Sequence, residues 1–527
     1  MENRFNLIDE PWIPVADYGR VSLRQVFSNS EYRSLGGNPV QKIALFKLLL
    51  AIAQAAATPE NEAEWKALGA QGLAERCLTY LDQWHDRFYL YGEQPFLQMQ
   101  GIASLIDSRT KSKITSDTSN SKKTEADKSG YPKNFGSGFY PDLPSSNNTY
   151  LSHTMMEKEL TDAEKAIFIT TLMNFSFGGK RVEAGMISLG GSELGSRYSA
   201  PAGPSLGGKF GYLHCFVLAG SILNDLWINL LTKNDISILK RWPSGVGQAI
   251  WEAMPDHESD ECSEEYKASY MSTLVSLSRF VLLKDSGIYY LDGIKYPKVS
   301  EGWYEPSLIL DSNELKAKYA DLSKKPWREV TARLSLTLGS SSKGFECFSL
   351  NKALDRCRDE LPEFSIFIGG LRVSENSGDQ SVKKDDDFVE SSVRISSDAL
   401  GSLMINKLDM EMKSLESLAN TLWGRVVSYF KELKSDNGKK INTTHAGRMA
   451  SEAATIFWHL CEKDFQELVD CCGQRDEHSQ ALQLCHSRFS GYVQQAYDQF
   501  CPRESARQLD AWAKCRPNNS KYLKQEI

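Results

Sequence analysis

The sequence lacks the features that mark a secreted or membrane protein. Its first residues are acidic and polar, where a signal peptide has a basic start followed by an apolar core. The two most apolar stretches, Ile43–Ala57 and Leu213–Leu231, are each interrupted by polar side chains, so neither is expected to cross a membrane. We therefore expect a cytoplasmic protein that makes no use of a membrane.

An excess of positive charge is also missing. The 527 residues include 61 Lys and Arg against 68 Asp and Glu, which gives a formal net charge of -7. A dedicated nucleic-acid-binding domain is usually basic, so any contact with a polyanion must be made locally. The length predicts two to four domains.

The eleven cysteines form no CxxC pair, which is typical of reduced thiols in a cytoplasm. One group, Cys471, Cys472, His478, Cys485 and His486, is dense enough to test as a metal site. Its spacing matches no common zinc pattern, and Cys485 falls on an apolar helical stripe. No cofactor is expected, and a metal-dependent nuclease or other enzyme using this group is kept as the alternative function.

Local catalytic motifs are absent as well. There is no HExxH and no GxSxG in the chain. Gly203–Phe210 approaches the phosphate-loop spacing, but Phe210 stands where a Ser or Thr hydroxyl must hold magnesium. These absences favour a binding protein over an enzyme.

The pattern of elements predicts an α+β fold, with a large mixed N-terminal domain over residues 1–390 and a C-terminal four-helix bundle over 400–520. In the first part, Asn38 and Thr161 are typical helix caps, and a further helix is predicted from Phe216 to Leu231. Short strands are predicted at 280–283, 288–291 and 308–310. Beyond residue 400, apolar residues recur at spacings of three and four, and Arg503–Arg516 supplies the fourth helix.

Three glycine-rich or polar stretches are candidates for contact with nucleic acid. Ser108–Gly138 carries seven positive charges against three acids and is followed closely by aromatic residues, so it suits either a loop that orders on nucleic acid or a solvated linker. Gly178 and Gly179 follow a helix and permit close approach to the backbone. Gly369–Asp387 has the composition of a linker or of a loop that touches DNA.

The order of several segments resembles the large subunit of type I-E CRISPR Cascade, the CasA family. The resemblance covers essentially the whole chain, because it lies in the terminal helical bundle and in six segments before it: Asn6–Val15, Phe88–Gln98, Leu160–Lys180, Ala202–Gly208, Lys325–Glu329 and Ile368–Leu371. It implies a non-enzymatic subunit that recognises the protospacer-adjacent motif in double-stranded DNA and opens the duplex for the guide RNA. It also implies recruitment of the helicase-nuclease, with other Cascade subunits and guide RNA as partners.

The resemblance also implies site residues. The family's glycine loop corresponds to Gly178 and Gly179, with Lys180 adjacent. The family's glutamine wedge, which separates the strands, corresponds to Gln380 or, because this loop is longer here, to Asn376. Lys383 is the nearest cation in the same loop.

Two further features of the family have looser counterparts. Its mobile N-terminal loop corresponds to about 108–153. The DNA-contacting positions expected in that loop are Lys133, Phe135, Tyr150, Leu151 and Ser152. A lysine that reaches the motif in some members is matched here by Ser312 or Asn313, with Lys316 and Lys318 as the nearest cations.

Overall fold

The structure is a computed structural model that describes residues 2–104, 135, 159–179, 201–284, 287–311, 314–329, 345–376, 379–383, 386–434, 443–474 and 480–523. The chain forms two compact units. The first consists of Met1–Leu322, Phe345–Cys357 and Ser365–Ser391, and the second of Ser323–Gly344, Arg358–Phe364 and Ser392–Ile527.

The first unit mixes helices with short strands, as the α+β prediction required. Its helices are α1 Leu23–Ser28, α2 Pro39–Ala56, α3 Glu62–Gln83, α4 Asp162–Phe175, α5 Ile222–Asn229, α6 Lys233–Ile238, α7 Glu261–Lys267, α8 Met271–Leu274 and α9 Phe348–Glu360. Its strands are β1 Arg4–Asn6, β2 Ile13–Val15, β3 Gly19–Val21, β4 Tyr89–Tyr91, β5 Leu213–Leu218, β6 Arg279–Lys284, β7 Gly287–Asp292, β8 Leu310–Asp311, β9 Lys316–Ala317, β10 Phe345–Glu346, β11 Glu363–Leu371, β12 Ser374–Asn376, β13 Asp379–Ser381 and β14 Phe388–Ser396. Of these elements, α9 and β14 end in the second unit and β11 begins in it.

Both predicted helix caps are confirmed. Asn38 accepts a hydrogen bond from the Gln41 backbone, and the Gln41 side chain accepts one from the Asn38 backbone. Thr161 and Glu164 make the same reciprocal pair at the start of α4. Each pair satisfies backbone donors that a helix end leaves without partners, which explains where these helices begin.

Helix α2 lies at the centre of the first unit and contacts α3, α4, α5 and α8. Among the residues that the structure describes, it is the one helix long and apolar enough to cross a membrane. Most of its side chains are buried in this core, including Lys47 and Gln54, the two polar residues that interrupt its apolar run. Helices α3, α4, α5 and α8 therefore cover most of its apolar surface.

The predicted helix over Phe216–Leu231 is wrong in its first half. The structure has strand β5 up to Leu218, and α5 begins only after Ser221, which caps it. Between them Gly220 has a φ of 88°, which ends the strand. An apolar run of this length suits a buried strand as well as a helix, so periodicity did not separate the two.

The stretch Gly369–Asp387 is ordered where the structure describes it, and the linker interpretation is wrong there. Gly369 and Gly370 belong to β11, which pairs antiparallel with β5 and places Gly370 opposite Leu213. A β-carbon on Gly370 would lie 2.4 Å from the Tyr212 carbonyl oxygen. After β11 the chain forms the β12–β13 hairpin, with Asn376 paired to Asp379.

The second unit is helical. Its helices are α10 Ser402–Lys434, α11 Thr443–Glu462, α12 Phe465–Gly473, α13 Gln480–Phe500, α14 Ala506–Cys515 and α15 Ser520–Leu523. Helix α10 contacts α11, α12, α13 and α14. The apolar seam predicted along it is buried, as Leu408, Leu415, Leu422, Val426 and Tyr429 are fully enclosed. The helix predicted over Arg503–Arg516 is present as α14, and α12 was not predicted.

Candidate nucleic-acid interface

The structure brings together two segments that the sequence analysis selected separately. Gly178 and Gly179, just after α4, lie against the β12–β13 hairpin about two hundred residues later. The Gly178 N–H donates to Gln380 Oε1 at 2.8 Å. The Gln380 backbone N–H donates to the Gly178 carbonyl at 3.0 Å. The glycine pair is therefore bonded to strand β13 at a single residue.

Glycine is required at position 179 by the hairpin itself. Its φ is +120°, a conformation that other residues rarely adopt. A β-carbon there would lie 2.1 Å from Asp379 Oδ1 and 2.9 Å from Asp379 Cα. A β-carbon on Gly178 would come within 3.2 Å of both the Ala202 nitrogen and Gln380 Oε1. Both glycines are thus explained by close packing within the first unit.

Gln380 is buried, with 1% of its surface exposed. Its amide nitrogen donates to the carbonyl oxygens of Gly207 and Lys209, both at 2.8 Å. Together with the bond from Gly178, this uses both amide hydrogens and the amide oxygen. Gln380 is therefore not presented at the surface, which differs from the expectation of a side chain available for insertion into DNA.

The carbonyls that receive Gln380 belong to residues 202–211, which we call the platform loop. It crosses beneath the end of α4, where the Gly203 N–H donates to the Ser176 carbonyl at 2.8 Å. A β-carbon on Gly203 would lie 2.2 Å from the Asn174 carbonyl oxygen, so only glycine permits this crossing. Gly207, with φ +77°, lies directly under the Tyr212 ring.

A buried polar network fixes the platform loop from the core side. The Lys47 ammonium donates to Ser205 Oγ and to Glu305 Oε2, each at 2.7 Å. Ser205 Oγ donates to Glu305 Oε1 at 2.6 Å. His214 Nε2 donates to the Ser205 carbonyl at 2.8 Å, and its Nδ1 accepts from Ser307 Oγ at 3.1 Å.

These contacts suit a neutral His214, in which Nε2 donates to the Ser205 carbonyl and Nδ1 accepts from the Ser307 hydroxyl. Burial lowers the pKa of His214 to about 4, in the same direction as the geometry. Burial also lowers the pKa of Lys47, while the adjacent Glu305 carboxylate opposes that shift. The network is enclosed, so it holds the loop and is closed to a substrate.

Arg279 holds the two stretches of chain on either side of residues 180–200. It is buried, and its Nη2 donates to the carbonyls of Phe177 at 2.9 Å and Pro201 at 2.8 Å. Its Nε donates to the Tyr290 hydroxyl at 2.9 Å. The glycine pair and the platform loop are consequently tied to one side chain of β6.

The exposed rim of this site combines aromatic rings with charges of both signs. The Arg372 guanidinium lies 4.0 Å from the Phe210 ring centroid, and Phe210 packs edge-on to Tyr319. Lys209 is exposed beside them. The Glu375 carboxylate of β12 contributes to raising the pKa of Tyr319, after the larger effect of burial. The rim is therefore suited to a polar partner without being strongly basic.

The remaining predicted site residues fall into two groups. Asn376 is exposed on β12, and Lys383 is half-buried beside the base of the hairpin, where its backbone N–H donates to Asp386 Oδ2 at 2.9 Å. Lys316 is exposed and paired with Glu314 at 2.7 Å, and Lys318 is half-buried. The others lie outside the described residues, namely Lys180, Lys133, Tyr150, Leu151, Ser152, Ser312 and Asn313.

Phe135 requires a correction. It was expected among the DNA-contacting residues of the N-terminal loop, but it is buried against Phe168 of α4, with ring centroids 5.9 Å apart. The Lys165 ammonium lies 5.8 Å from the Phe135 ring centroid. The ring is therefore part of the core in this structure and is not presented for stacking on a base.

The cysteine and histidine group of the alternative function is also enclosed. Cys471, Cys472 and Cys485 are buried, and burial raises the pKa of the Cys485 thiol to about 12. Burial raises the pKa of Cys472 as well, and His486 is bonded to Glu411 at 2.9 Å. His478 lies outside the described residues. Among the side chains that are described, no three His, Cys, Asp or Glu are grouped so that they could hold a metal ion.

Sequence reasoning missed the residues that support the site. From the sequence, Lys47 was noted only because it interrupts an apolar run. A lysine inside such a run is itself a signal for a buried ion pair. Arg279 lies immediately before the strand predicted over 280–283, and nothing local in the sequence marks its role. Arg372 immediately follows the Gly-Gly-Leu segment, and its position over Phe210 depends on pairing between distant strands.

The comparisons with known proteins agree with this architecture. A protein-family model described as CRISPR-associated protein Cse1 matches residues 6–496. The CRISPR-associated protein CasA/Cse1 of Thermus thermophilus is 36% identical over 110 residues, which cover 19% of this chain and 22% of that protein. The chain thus aligns with about a fifth of the length of this relative.

Two solved structures share the fold over nearly the whole chain. The crystal structure of Thermus thermophilus CasA superposes with a TM-score of 0.65 at 18% identity, covering 99% of this chain and 98% of that one. A chain of a structure described as a CRISPR RNA-guided surveillance complex gives 0.64 at 15% identity, covering 98% and 99%. At this level of identity the structural matches show the fold, and the family model defines the class as CRISPR-associated proteins. Because the family model covers most of the sequence, the chain belongs to the Cse1 family, which is also named CasA.

Proposed function

We propose that this chain is the large subunit of a type I-E Cascade surveillance complex in CRISPR defence. In this role it reads the protospacer-adjacent motif on target double-stranded DNA, helps to open the duplex for pairing with the guide RNA, and helps to recruit the helicase-nuclease. Membership of the Cse1 family and the likeness to a chain of an RNA-guided surveillance complex support this proposal. Its partners are then the other Cascade subunits, guide RNA, target DNA and the effector.

One observation carries the proposal. The glycine pair and the β12–β13 hairpin, which the family resemblance assigns to motif reading and strand separation, are joined at Gln380. Reading a motif at a groove edge requires backbone close to the bases, and separating strands requires a projecting element beside it. The two segments to which the proposal gives these tasks lie side by side in the first unit, which supports it.

The roles follow from position. Gly178 and Gly179 are buried under the hairpin, so in this proposal they set the position of the motif-reading edge, and the exposed Asn376 of the hairpin contacts the first separated base pair. In this proposal Lys209, Lys383 and Arg372 neutralise phosphates near this edge, and Arg372 would do so beside Asp386, whose Oδ1 lies 3.8 Å from its Nε. We keep the less exposed Lys318 and the paired Lys316 as further candidates for a motif-reading cation.

In this proposal, recognition of the target sequence is divided between the protein and the guide RNA. The protein reads only a short motif, while base pairing reads the remaining sequence, so the subunit needs no catalytic group and no strongly basic surface. The net charge of -7 is consistent with this division, because most phosphate contacts then belong to other subunits.

The test is a purified complex with and without this chain. Motif-bearing duplex should bind tightly only when the chain is present, and a scrambled motif should abolish the difference. Equal binding by the complex that lacks the chain would end the proposal. Metal-dependent cleavage of DNA by the purified chain, lost in Cys471→Ser and His478→Ala variants, would favour the nuclease alternative.

A further inference from the structure

Gln380 is the point at which three separate segments meet. Its backbone and side chain make two hydrogen bonds with Gly178, one with Gly207 and one with Lys209, in addition to its pairing with Glu375 across the hairpin. Its side chain is enclosed, although it lies on a two-stranded hairpin whose opposite residue, Glu375, is exposed. A buried amide with every hydrogen-bonding group occupied is typical of a residue that holds a structure together.

Insertion into a duplex would require the opposite environment. To reach DNA, the Gln380 amide would have to leave the Gly178 N–H and two carbonyls without partners inside the protein. Each such loss is unfavourable, because a buried polar group without a partner is not compensated by water. Among the described residues of this hairpin, Glu375, Asn376 and Asp379 are exposed, and Asn376 is the competing position for the wedge.

We propose that Gln380 is a positioning residue, a latch that fixes the strand-separating hairpin to the glycine pair, so that motif reading and strand separation are performed by one rigid element. The inference rests on the proposed function and deepens it. Because the latch prevents the hairpin from moving independently of the glycine pair, the duplex can be separated only beside the motif.

Three contacts beside Gln380 support the latch. Asp379 packs so closely on Gly179 that no side chain fits between them. The base of the hairpin is closed by the Arg372 N–H, which donates to the Asp387 carbonyl at 3.0 Å, and by the buried Val373 and Val382. The platform loop that receives the amide is held by Ser205 in the buried network. The latch therefore joins two parts that are each anchored independently.

The variants are chosen to separate latching from insertion. Gln380→Glu keeps an oxygen for the Gly178 N–H but loses both donors and places a carboxylate beside two carbonyl oxygens. Gln380→Met keeps a similar side-chain volume but makes none of the side-chain hydrogen bonds. It replaces Gln380→Glu in the experiment if that variant does not assemble into the complex. Asn376→Ala, on the facing strand of the same hairpin, is the matched control for insertion.

The experiment uses the assembled complex and three DNA duplexes of equal length. One carries the motif and is fully paired, one carries a scrambled motif, and one carries the motif beside a short unpaired region. The measured quantities are the affinity for each duplex and the discrimination ratio between motif and scrambled motif. Thermal unfolding of each purified variant is measured alongside.

For Gln380→Glu and Gln380→Met we expect the discrimination ratio to fall by about tenfold or more, since at least two buried hydrogen bonds are lost. The unpaired region should not restore the ratio, because the glycine pair is no longer held in register. For Asn376→Ala we expect weaker binding to the paired duplex, a normal ratio, and recovery on the unpaired duplex.

Two outcomes would overturn the latch. One is a Gln380 variant with a normal discrimination ratio whose defect disappears on the unpaired duplex, which would identify Gln380 as the inserting side chain. The other is a variant that only lowers the unfolding temperature and discriminates as the wild type does. A wild-type complex without discrimination overturns the proposed function instead, and is distinguished because the variants play no part in that result.

Discussion

Lys47 and Glu305 form an ion pair that is fully enclosed by the first unit. Replacing Glu305 by Gln leaves a buried ammonium without a carboxylate, so we expect the free energy of unfolding to fall by about 3–5 kcal/mol. Urea denaturation of the purified chain measures this change. The double variant Lys47→Met/Glu305→Gln should be destabilised by less than the sum of the single variants, and strict additivity would contradict a direct pair.

His214 gives this part of the core a defined pH dependence. Its pKa in the folded protein is lowered to about 4 from an ordinary 6.5, so the unfolded chain binds a proton at a pH where the folded protein does not. Stability should therefore fall as the pH drops from 6.5 toward 4, by roughly 3 kcal/mol over the whole window. Urea denaturation at several pH values, compared with His214→Gln, isolates this contribution. Equal losses in both proteins would show that His214 is not neutral when folded.

At the level of elements, the position of the β12–β13 hairpin depends on the absence of a side chain at Gly179. A methyl group on Gly179 would overlap Asp379 and would hold alanine at a positive φ. Gly179→Ala should therefore displace the hairpin and lower the motif-dependent affinity of the complex by about tenfold or more. Gly208→Ala is the matched control, since a β-carbon there meets no atom within 4 Å. Binding titrations should find the control normal, and an equal defect in both variants would contradict the packing argument.

The elements that could be predicted from the sequence are those with local causes. Residues close together in the sequence form the caps at Asn38 and Thr161 and the apolar seam of α10. The helices that these features mark could therefore be predicted. The β12–β13 hairpin was missed because its polar composition is that of a loop, and what orders it is distant. Its partners, Gly178 and the platform loop, lie about two hundred residues earlier in the chain.

Across the whole molecule, the net charge of -7 limits how DNA can be held. Lys209 is exposed on the rim, so Lys209→Ala should weaken binding of the complex about equally for motif and scrambled duplexes and lower the salt slope by about 0.9. Affinities measured at several salt concentrations test this. Lys316→Ala, which removes a lysine already paired with Glu314, should change the slope less. A loss confined to the motif duplex would instead make Lys209 a base-reading residue.

The α+β class with a helical C-terminal region and the family could be predicted from the whole chain, because ordered anchors run from Asn6 to Leu371. The division of the chain into two units depends instead on packing between residues that are distant in the sequence. Residues 323–344 and 358–364 belong to the second unit, where Trp327 packs on Trp458 and Phe465. Such pairings join residues more than a hundred positions apart, and nothing local in the sequence marks them.

The Arg279 guanidinium, which bonds the carbonyls of Phe177 and Pro201, has a consequence for what the chain tolerates. It fixes the spacing of these two carbonyls, whatever the length of the chain that joins them. Closing a longer loop costs only about 0.6 kcal/mol for each doubling. In loop-closure entropy alone, a longer connection between Phe177 and Pro201 therefore costs little, because Arg279 and not the connection holds these two carbonyls together.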